Sequence, residues 1–197
     1  MAKFNRVWLC ALAPAALLLA QSVSAEVLSV GPNGFEVRET VHVAAASDKA
    51  YAALLQPARW WSSDHTFSGN AANLVLDARA GGCWCENLPD GGSVEHLRVV
   101  YAAPGKTLRL RGALGPFQGL GVDGALTWVF KSGPNGTDIS VSYTLGGYAK
   151  DGFDALAKAA DHVLGEQLQR LADVLMPVAA ALLDEHGLVD ATVLEMP

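Results

Sequence analysis

The chain has 197 residues, enough for one domain or slightly more, and 51% of them are hydrophobic while 17% are charged. This composition excludes a disordered chain, which would combine low hydrophobicity with high charge. The formal net charge of -6 excludes a strongly basic nucleic-acid binder, so we expect no nucleic-acid partner.

The N-terminus has the three-part pattern of a secretory signal peptide. Lys3 and Arg6 precede an apolar run over 7–20, and a segment of small residues then ends at Ala25. The run has 14 residues, fewer than the roughly 20 that a membrane-spanning helix needs. We expect cleavage after Ala25; an uncleaved anchor is the alternative.

Cleavage at this point divides the chain into a signal peptide, 1–25, a folded domain, 26–176, and a tail, 177–197. No Lys or Arg follows Arg170, so we expect the tail to be acidic and loosely held. The mature protein is predicted to be periplasmic or secreted, with no stable membrane span after removal of the signal peptide.

The folded domain is predicted to begin with one strand and two short helices. Residues 34–44 alternate apolar and polar side chains with a two-residue period, which indicates a strand. Ser47 can cap a helix over 50–55, which Pro57 ends, and 58–61 has the character of a second helical turn.

A series of short strands separated by tight turns follows. The predicted strands are 74–80, 83–88, 93–102, 107–111, 125–131 and 137–145. Short connections between consecutive strands require antiparallel pairing. Together with the first strand, they predict a seven-stranded antiparallel sheet.

Residues 153–175 are predicted to form one long amphipathic helix. Seven apolar residues should face the sheet: Leu156, Ala160, Val163, Leu164, Leu168, Leu171 and Leu175. Seven polar residues should face water or the rim: Asp154, Lys158, Asp161, Glu166, Gln169, Arg170 and Asp173. No other predicted helix is long enough to cover the sheet, so we expect an α+β fold in which a curved sheet grips this helix.

The two halves of this helix differ in side-chain size. Ala157, Ala160 and Gly165 make the N-terminal half slimmer than the half with Leu168 and Leu171. We therefore expect a cavity beneath 153–165 and tight packing beyond it.

Three local patterns carry a resemblance to a known family. They are Ala50-Tyr51-Ala52-Ala53-Leu54 leading to Arg59-Trp60-Trp61, Ala80-Gly81-Gly82 followed by Pro89-Asp90-Gly91-Gly92, and Pro104-Gly105-Lys106-Thr107-Leu108. Over 34–176 the chain resembles the SRPBCC superfamily, which has the START/Bet v1-like helix-grip fold. It is most similar to the branch related to activators of Hsp90 ATPase and to polyketide cyclase-like proteins.

The resemblance implies the helix-grip fold but does not fix an activity. The superfamily includes carriers of lipids and aromatic ligands, cyclases, dehydratases and proteins of unknown role. Residue 80 is Ala where this branch often has Pro, and a signal peptide is unusual for it. Export argues against a cytosolic co-chaperone role.

The common catalytic motifs are absent from the sequence. It has no complete phosphate loop, because Gly105-Lys106-Thr107 is preceded five positions earlier by Val100 and not by glycine, and it has no Gly-x-Ser-x-Gly and no His-Glu-x-x-His. We expect no cofactor and no metal ion. A soft-metal site formed by Cys83, Cys85 and His96 is the alternative.

Three titratable residues are candidates for acid–base chemistry: Glu39, Glu86 and His65. Glu39 lies on the apolar face of the first predicted strand, where burial would raise its pKa; alternatively it lies at the rim. Glu86 faces the cavity if Trp84 does, and faces solvent in the other register. His65 follows two tryptophans in a loop, either at a cavity mouth or simply exposed.

The ligand-binding candidates are mostly aromatic. They are Trp61, Trp84, Phe117, Trp128 and Tyr143, together with Ala160 and Leu164 on the long helix. Such side chains suit a pocket for a flat or lipidic molecule, and an ordinary hydrophobic core is the alternative for each of them.

The spacing of Cys83 and Cys85 argues against a disulfide. Alternate residues of a strand lie about 6.5–7 Å apart, whereas bonded cysteines have Cβ atoms near 3.8 Å apart. We expect two reduced thiols, unless a bulge closes the gap.

Three functions agree with these features. The first is an exported domain that binds a hydrophobic or aromatic small molecule between sheet and helix. The second is an enzyme of the cyclase or dehydratase type. The third is a cell-envelope interaction protein without a ligand, which would use the acidic tail or the Trp60-Trp61 loop.

Overall fold

The computed structural model describes residues 24–176. Nearly all of the predicted signal peptide, 1–23, and the whole predicted tail, 177–197, lie outside the described residues.

One antiparallel sheet forms the body of the fold. Its strands are β1 (Ser24–Gly31), β2 (Gly34–Val43), β3 (Leu74–Leu76), β4 (Cys83–Asn87), β5 (Ser93–Ala103), β6 (Thr107–Arg111), β7 (Gly121–Gly133) and β8 (Gly136–Tyr148). Their order across the sheet is β1-β2-β8-β7-β6-β5-β4-β3, so β1 and β3 are the edges. Two α-helices of the described segment, α1 (Ser47–Leu54) and α2 (Asp154–Asp173), lie against the sheet.

The described sheet has eight strands, one more than the sequence predicts. The additional strand is β1, which pairs with β2 through a register shift between Val27 and Ser29. Because β1 is an edge strand with exposed Val27 and Val30 and an irregular register, it lacks the clean two-residue period of a half-buried strand.

The region between α1 and β3 also differs from the prediction. Instead of a second helix over 58–61, it contains three 3-10 turns, Pro57–Arg59, Ser63–His65 and Ala71–Asn73. The first turn begins at Pro57, and the backbone of Trp60, the residue that follows the turn, is no longer helical. These turns cover the β3–β4 end of the sheet.

Helix α2 covers the opposite end of the sheet and contacts β1, β2 and β8. Ala160, Leu164, Leu168 and Leu171 are buried, as their spacing predicts. Leu156, Val163 and Leu175 are partly buried and pack at the margin of the core. No helix within 24–176 is both long and apolar enough to cross a membrane.

The register of β4 decides which of its side chains face the interior. Trp84 and Glu86 are buried, while Cys83 and Cys85 are on the other face and only partly buried. The structure thus selects one of the two registers that the sequence left open.

The expectation of two reduced thiols is wrong, because Cys83 and Cys85 form a disulfide. The pairing of β4 with β5 shifts register between Trp84 and Cys85. At this irregularity the Cα atoms of the two cysteines are 5.4 Å apart, which is within the range for disulfide-bonded pairs.

Candidate ligand-binding pocket

A pocket of about 300 Å³ opens between the sheet and the N-terminal half of α2. Its walls come from α2, from strands β3, β4, β5 and β8, and from the loops around Ser63–His65 and Gly115–Gly119. Small side chains on the helix, Ala159 and Ala160, leave the space that larger residues would fill. The pocket therefore lies beneath 153–165, where the sequence places a cavity.

Six of the seven ligand-binding candidates line this pocket. They are Trp61, Trp84, Phe117, Tyr143, Ala160 and Leu164. Trp128 does not line it, because its ring is wholly buried in the core, 5.9 Å from the ring centroid of Trp60. Alternation along a strand places Trp128 on the inner face without specifying which part of that face lies beneath the space.

Four tryptophans pack edge to face beside the pocket. Trp60 contacts Trp61, Trp84 and Trp128 at centroid distances between 5.5 and 6.0 Å. Trp61 lies 5.0 Å from Trp84. Such pairs add to the hydrophobic stabilisation and hold the rings in fixed orientations. Because Trp60 and Trp61 are buried, they do not form the exposed interaction loop considered above.

His65 lies in the pocket lining and is tied to α2. Its Nε2 atom is 3.0 Å from Oε2 of Glu166, and its backbone carbonyl accepts a hydrogen bond from Nε1 of Trp61. Burial opposes ionisation of Glu166, but contacts with His65 and Arg170 outweigh this effect and lower its pKa. His65 is thus a half-buried wall residue held by its contact with Glu166, rather than an exposed loop histidine.

Gln167 holds the same loop from inside the protein. It is fully buried, and its Oε1 accepts a hydrogen bond of 2.7 Å from the backbone N–H of Ser62. Gln167 is not among the functional residues that the sequence indicated. The helical spacing indicates its burial, since Gln167 follows Leu164 by three positions and therefore shares the buried face of the helix.

Glu86 is buried behind the pocket and is bound by three donors. The backbone N–H groups of Phe67 and Ser68 each donate to one of its carboxylate oxygens. Nε2 of His96 lies 2.9 Å from Oε2. Burial alone would raise the pKa of Glu86, but hydrogen bonds from Ser68, Phe67 and His96 outweigh it and lower the pKa. Glu86 does not itself line the pocket; it supports two residues that do, Phe67 and His96.

A bulge turns His96 inward. Trp84 pairs with Leu97 and Cys85 pairs with Glu95, so His96 is an extra residue on β5. His96 and Leu97 are consecutive, yet both are buried. Strict alternation would expose one of them, which is why sequence periodicity left the direction of His96 open.

Tyr143 contributes a ring to the pocket but not a free hydroxyl. The hydroxyl donates to the carbonyl of Gly112 at 3.0 Å and accepts from the N–H of Leu114 at 2.9 Å. Burial raises the pKa of the phenol. Tyr143 therefore anchors the loop that closes one side of the pocket.

Glu39 is buried, as one of the two alternatives requires, but it does not line the pocket. It lies under α2, where a Cβ atom on Gly165 would be 3.5 Å from Oε2. Burial and the Asp161 carboxyl raise its pKa from 4.5 to about 8. Asp161, predicted to face water or the rim, has one oxygen turned inward and buried. Asp161 is half-buried, which agrees with a position at the rim.

An ionised carboxylate can only accept hydrogen bonds. Neither the two oxygens of Glu39 nor the buried oxygen of Asp161 has a donor within 24–176. One proton held by Glu39 supplies the missing donor. The pair is thus arranged to keep Glu39 neutral beneath the helix, away from the pocket.

The cysteines and His96 do not converge on a metal site. Cys83 and Cys85 are bonded to each other on the outer face, whereas His96 faces the interior. Within the described part of the chain, no group of three or more His, Cys, Asp or Glu residues could hold a metal ion.

Comparison with known proteins identifies the fold. No protein-family model and no curated sequence matches the chain. Among solved structures, protein MLL2253 of Mesorhizobium loti is 17% identical with a TM-score of 0.53, over 71% of this chain and 96% of that one. Protein CV1439 of Chromobacterium violaceum is 22% identical with a TM-score of 0.53, over 75% of this chain and 99% of that one.

A structure of the Aha1 dimer of Colwellia psychrerythraea is also similar, with 17% identity and a TM-score of 0.50, over 71% of this chain and 95% of that one. These neighbours have the helix-grip fold. At such low identity the likeness concerns the fold alone. The chain is therefore an α+β protein with a helix-grip-like fold, in which one large antiparallel sheet accompanies a long C-terminal helix.

Proposed function

We propose that this chain is an exported protein of the polyketide cyclase-like branch that binds a hydrophobic or aromatic small molecule. The observation that carries the proposal is the pocket of about 300 Å³, walled mainly by aromatic and aliphatic side chains. Its volume lies at the lower end of the range for small-molecule sites, which are typically apolar with few polar groups.

The pocket walls are well fixed, which favours binding. Gln167 and Glu166 attach the Ser62–His65 loop to α2, and Tyr143 attaches the Gly112–Leu114 loop to the sheet. A preformed apolar cleft costs little to organise when a ligand enters, so the binding free energy is not consumed in ordering the protein.

Native mass spectrometry of the protein purified without detergent tests the proposal directly. We expect a bound hydrophobic molecule, or, from apo protein, fluorescence enhancement on adding 1-anilinonaphthalene-8-sulfonate. Ala160→Leu should reduce binding of this probe, whereas Ala155→Leu, on the exposed side of the same helix, should not. Apo protein that binds neither this probe nor other hydrophobic probes would contradict the proposal.

A second candidate is an enzyme of the cyclase or dehydratase type. Of its three predicted acid–base residues, only His65 lines the pocket, while Glu86 lies behind His96 and Glu39 lies elsewhere. Two histidines on the pocket wall, His65 and His96, keep acid–base chemistry open. Incubation of the co-purified molecule with fresh protein, followed by mass spectrometry, should show loss of water from a dehydratase substrate; an unchanged molecule favours the binding protein.

Export is part of the proposal. It is supported by the charged and apolar pattern of 1–25 and by the Cys83–Cys85 disulfide, because disulfides persist in oxidising compartments. N-terminal sequencing of the periplasmic or secreted protein should begin at Glu26. An intact Met1 on protein from the cytosolic fraction would contradict export.

A further inference from the structure

The polar groups that line the pocket differ in whether they have partners. The hydroxyl of Tyr143 makes two hydrogen bonds, Nε1 of Trp61 makes one, and Nε2 of His65 contacts Glu166. Nδ1 of His96, in contrast, is buried and has no partner among residues 24–176. The side chain of His96 is 5% exposed and belongs to the pocket wall.

The contact with Glu86 determines which nitrogen of His96 carries a proton. The lowered pKa of Glu86 keeps it ionised at neutral pH, and a carboxylate only accepts hydrogen bonds. Nε2 of His96 must therefore donate to Glu86. In the neutral ring this leaves a lone pair on Nδ1, which accepts a hydrogen bond.

Glu86 also fixes the aromatic wall next to His96. Its carboxylate binds the backbone N–H groups of Phe67 and Ser68. The ring of Phe67 lies 5.9 Å from the imidazole of His96 at an interplanar angle of 33°. One buried carboxylate therefore orients both the imidazole of His96 and the ring of Phe67, two residues of the pocket wall.

The size and lining of the pocket indicate the kind of molecule that fits. An engineered cavity of about 150 Å³ is enough to bind benzene. The pocket here, at about 300 Å³, has room for a molecule with two fused rings. Aromatic walls suit a flat molecule, and the buried acceptor on His96 suits a hydroxyl donor.

We propose that the pocket selects a flat, two-ring aromatic molecule whose hydroxyl group donates to Nδ1 of His96, with Glu86 as the positioning residue for His96. This inference rests on the proposed function and names its ligand class. An occupant without a donor leaves the buried Nδ1 atom unpaired, so the site should discriminate against it.

The test compares 2-naphthol with 2-methylnaphthalene, which has a similar shape but no donor. Displacement of 1-anilinonaphthalene-8-sulfonate from the full-length mature protein gives both affinities. We expect 2-naphthol to bind roughly three- to tenfold more tightly, the range of one net hydrogen bond. His96→Gln keeps an amide N–H for Glu86 but removes the ring nitrogen, so this preference should fall to near one while the affinity for 2-methylnaphthalene stays within about twofold. His42→Gln, an exposed histidine on β2, is the matched control and should keep the preference.

Glu86→Gln tests whether Glu86 positions His96, and the measurement is again the ratio of the affinities for 2-naphthol and 2-methylnaphthalene. An amide at this site no longer forces Nε2 of His96 to be the donor. The preference for 2-naphthol should fall, an effect that loss of packing alone would not produce selectively. If the variants do not fold, the ¹⁵N resonance of Nδ1 in wild-type protein provides the test. It should move on adding 2-naphthol and not on adding 2-methylnaphthalene.

Equal affinity for the two compounds, a preference that persists in His96→Gln, or an unmoved Nδ1 resonance in the naphthol complex would overturn the role of His96. Each of these results leaves the hydrophobic pocket in place. Absence of binding by either compound and by the fluorescent probe would instead contradict the proposed function itself.

Discussion

Glu39 makes the stability of this protein depend on pH in an unusual direction. Its folded-state pKa of about 8 lies above the ordinary value of 4.5, so the folded protein holds a proton that the unfolded chain releases. Between these two values the folded state binds more protons than the unfolded state. The free energy of unfolding therefore falls as pH rises through this window, and the effect is complete above pH 8.

The size of the effect follows from the two pKa values. At 1.36 kcal/mol for each unit of pKa, linkage predicts a loss of about 3 kcal/mol between pH 5 and pH 8 from this one group. Glu39 has 0% relative exposure, so solvent screens the effect little. A loss of this size is a large part of the stability of a typical domain.

Glu39→Gln should remove this contribution, because the amide does not ionise and can still donate to Asp161. Urea unfolding at pH 5, 7 and 8.5 should show similar stability at pH 5 and a more stable variant, by about 3 kcal/mol, at the highest pH. The difference between variant and wild type cancels groups that titrate equally in both. Glu36→Gln, on the exposed face of the same strand, should show no such divergence. A constant difference between Glu39→Gln and wild type across the range would refute the reasoning.

Three further predictions concern α2. Leu168→Ala and Leu171→Ala should each lower the free energy of unfolding by about 2–5 kcal/mol, because both side chains are fully buried; a loss below about 1 kcal/mol in urea unfolding would contradict their place in the core. Ala160→Leu should abolish or weaken fluorescent-probe binding with little change in stability, since it extends into the pocket; unaltered binding would show that probes bind elsewhere. Gln167→Ala should lower the free energy of unfolding by about 1–3 kcal/mol, because it leaves the backbone N–H of Ser62 without its acceptor. Gln169→Ala, a half-buried residue of the same helix, should have little effect. Equal effects of the two substitutions in thermal unfolding would contradict this role of Gln167.

Sequence periodicity predicted most of the helices and strands, because an element buried on one side has apolar residues at regular intervals along the chain. The alternation around Val37 and Val41 predicted β2, and the three- and four-residue spacing through Leu164, Leu168 and Leu171 predicted α2. Strand β1 was missed because it is an edge strand with exposed valines, so its alternation of apolar and polar residues is weak.

The candidate site was predictable only in part. The aromatic lining and the slim half of the helix follow from residue types, so Trp61, Trp84 and Ala160 could be named in advance. His96 could not be oriented, because a bulge breaks the alternation at that residue. The role of Glu86 likewise depends on Phe67 and Ser68, which reach it through the folding of a distant loop.

The sequence by itself determined the class of fold, the buried face of α2 and the reduced side-chain volume around Ala160, because each depends on the spacing and size of neighbouring residues. Only the tertiary structure decided the inward turn of His96, the Cys83–Cys85 bond and the raised pKa of Glu39 beside Asp161. These features depend on register and on contacts between residues far apart in the chain. Local periodicity carries no information about which partner such a residue will meet or how well solvent will be excluded there.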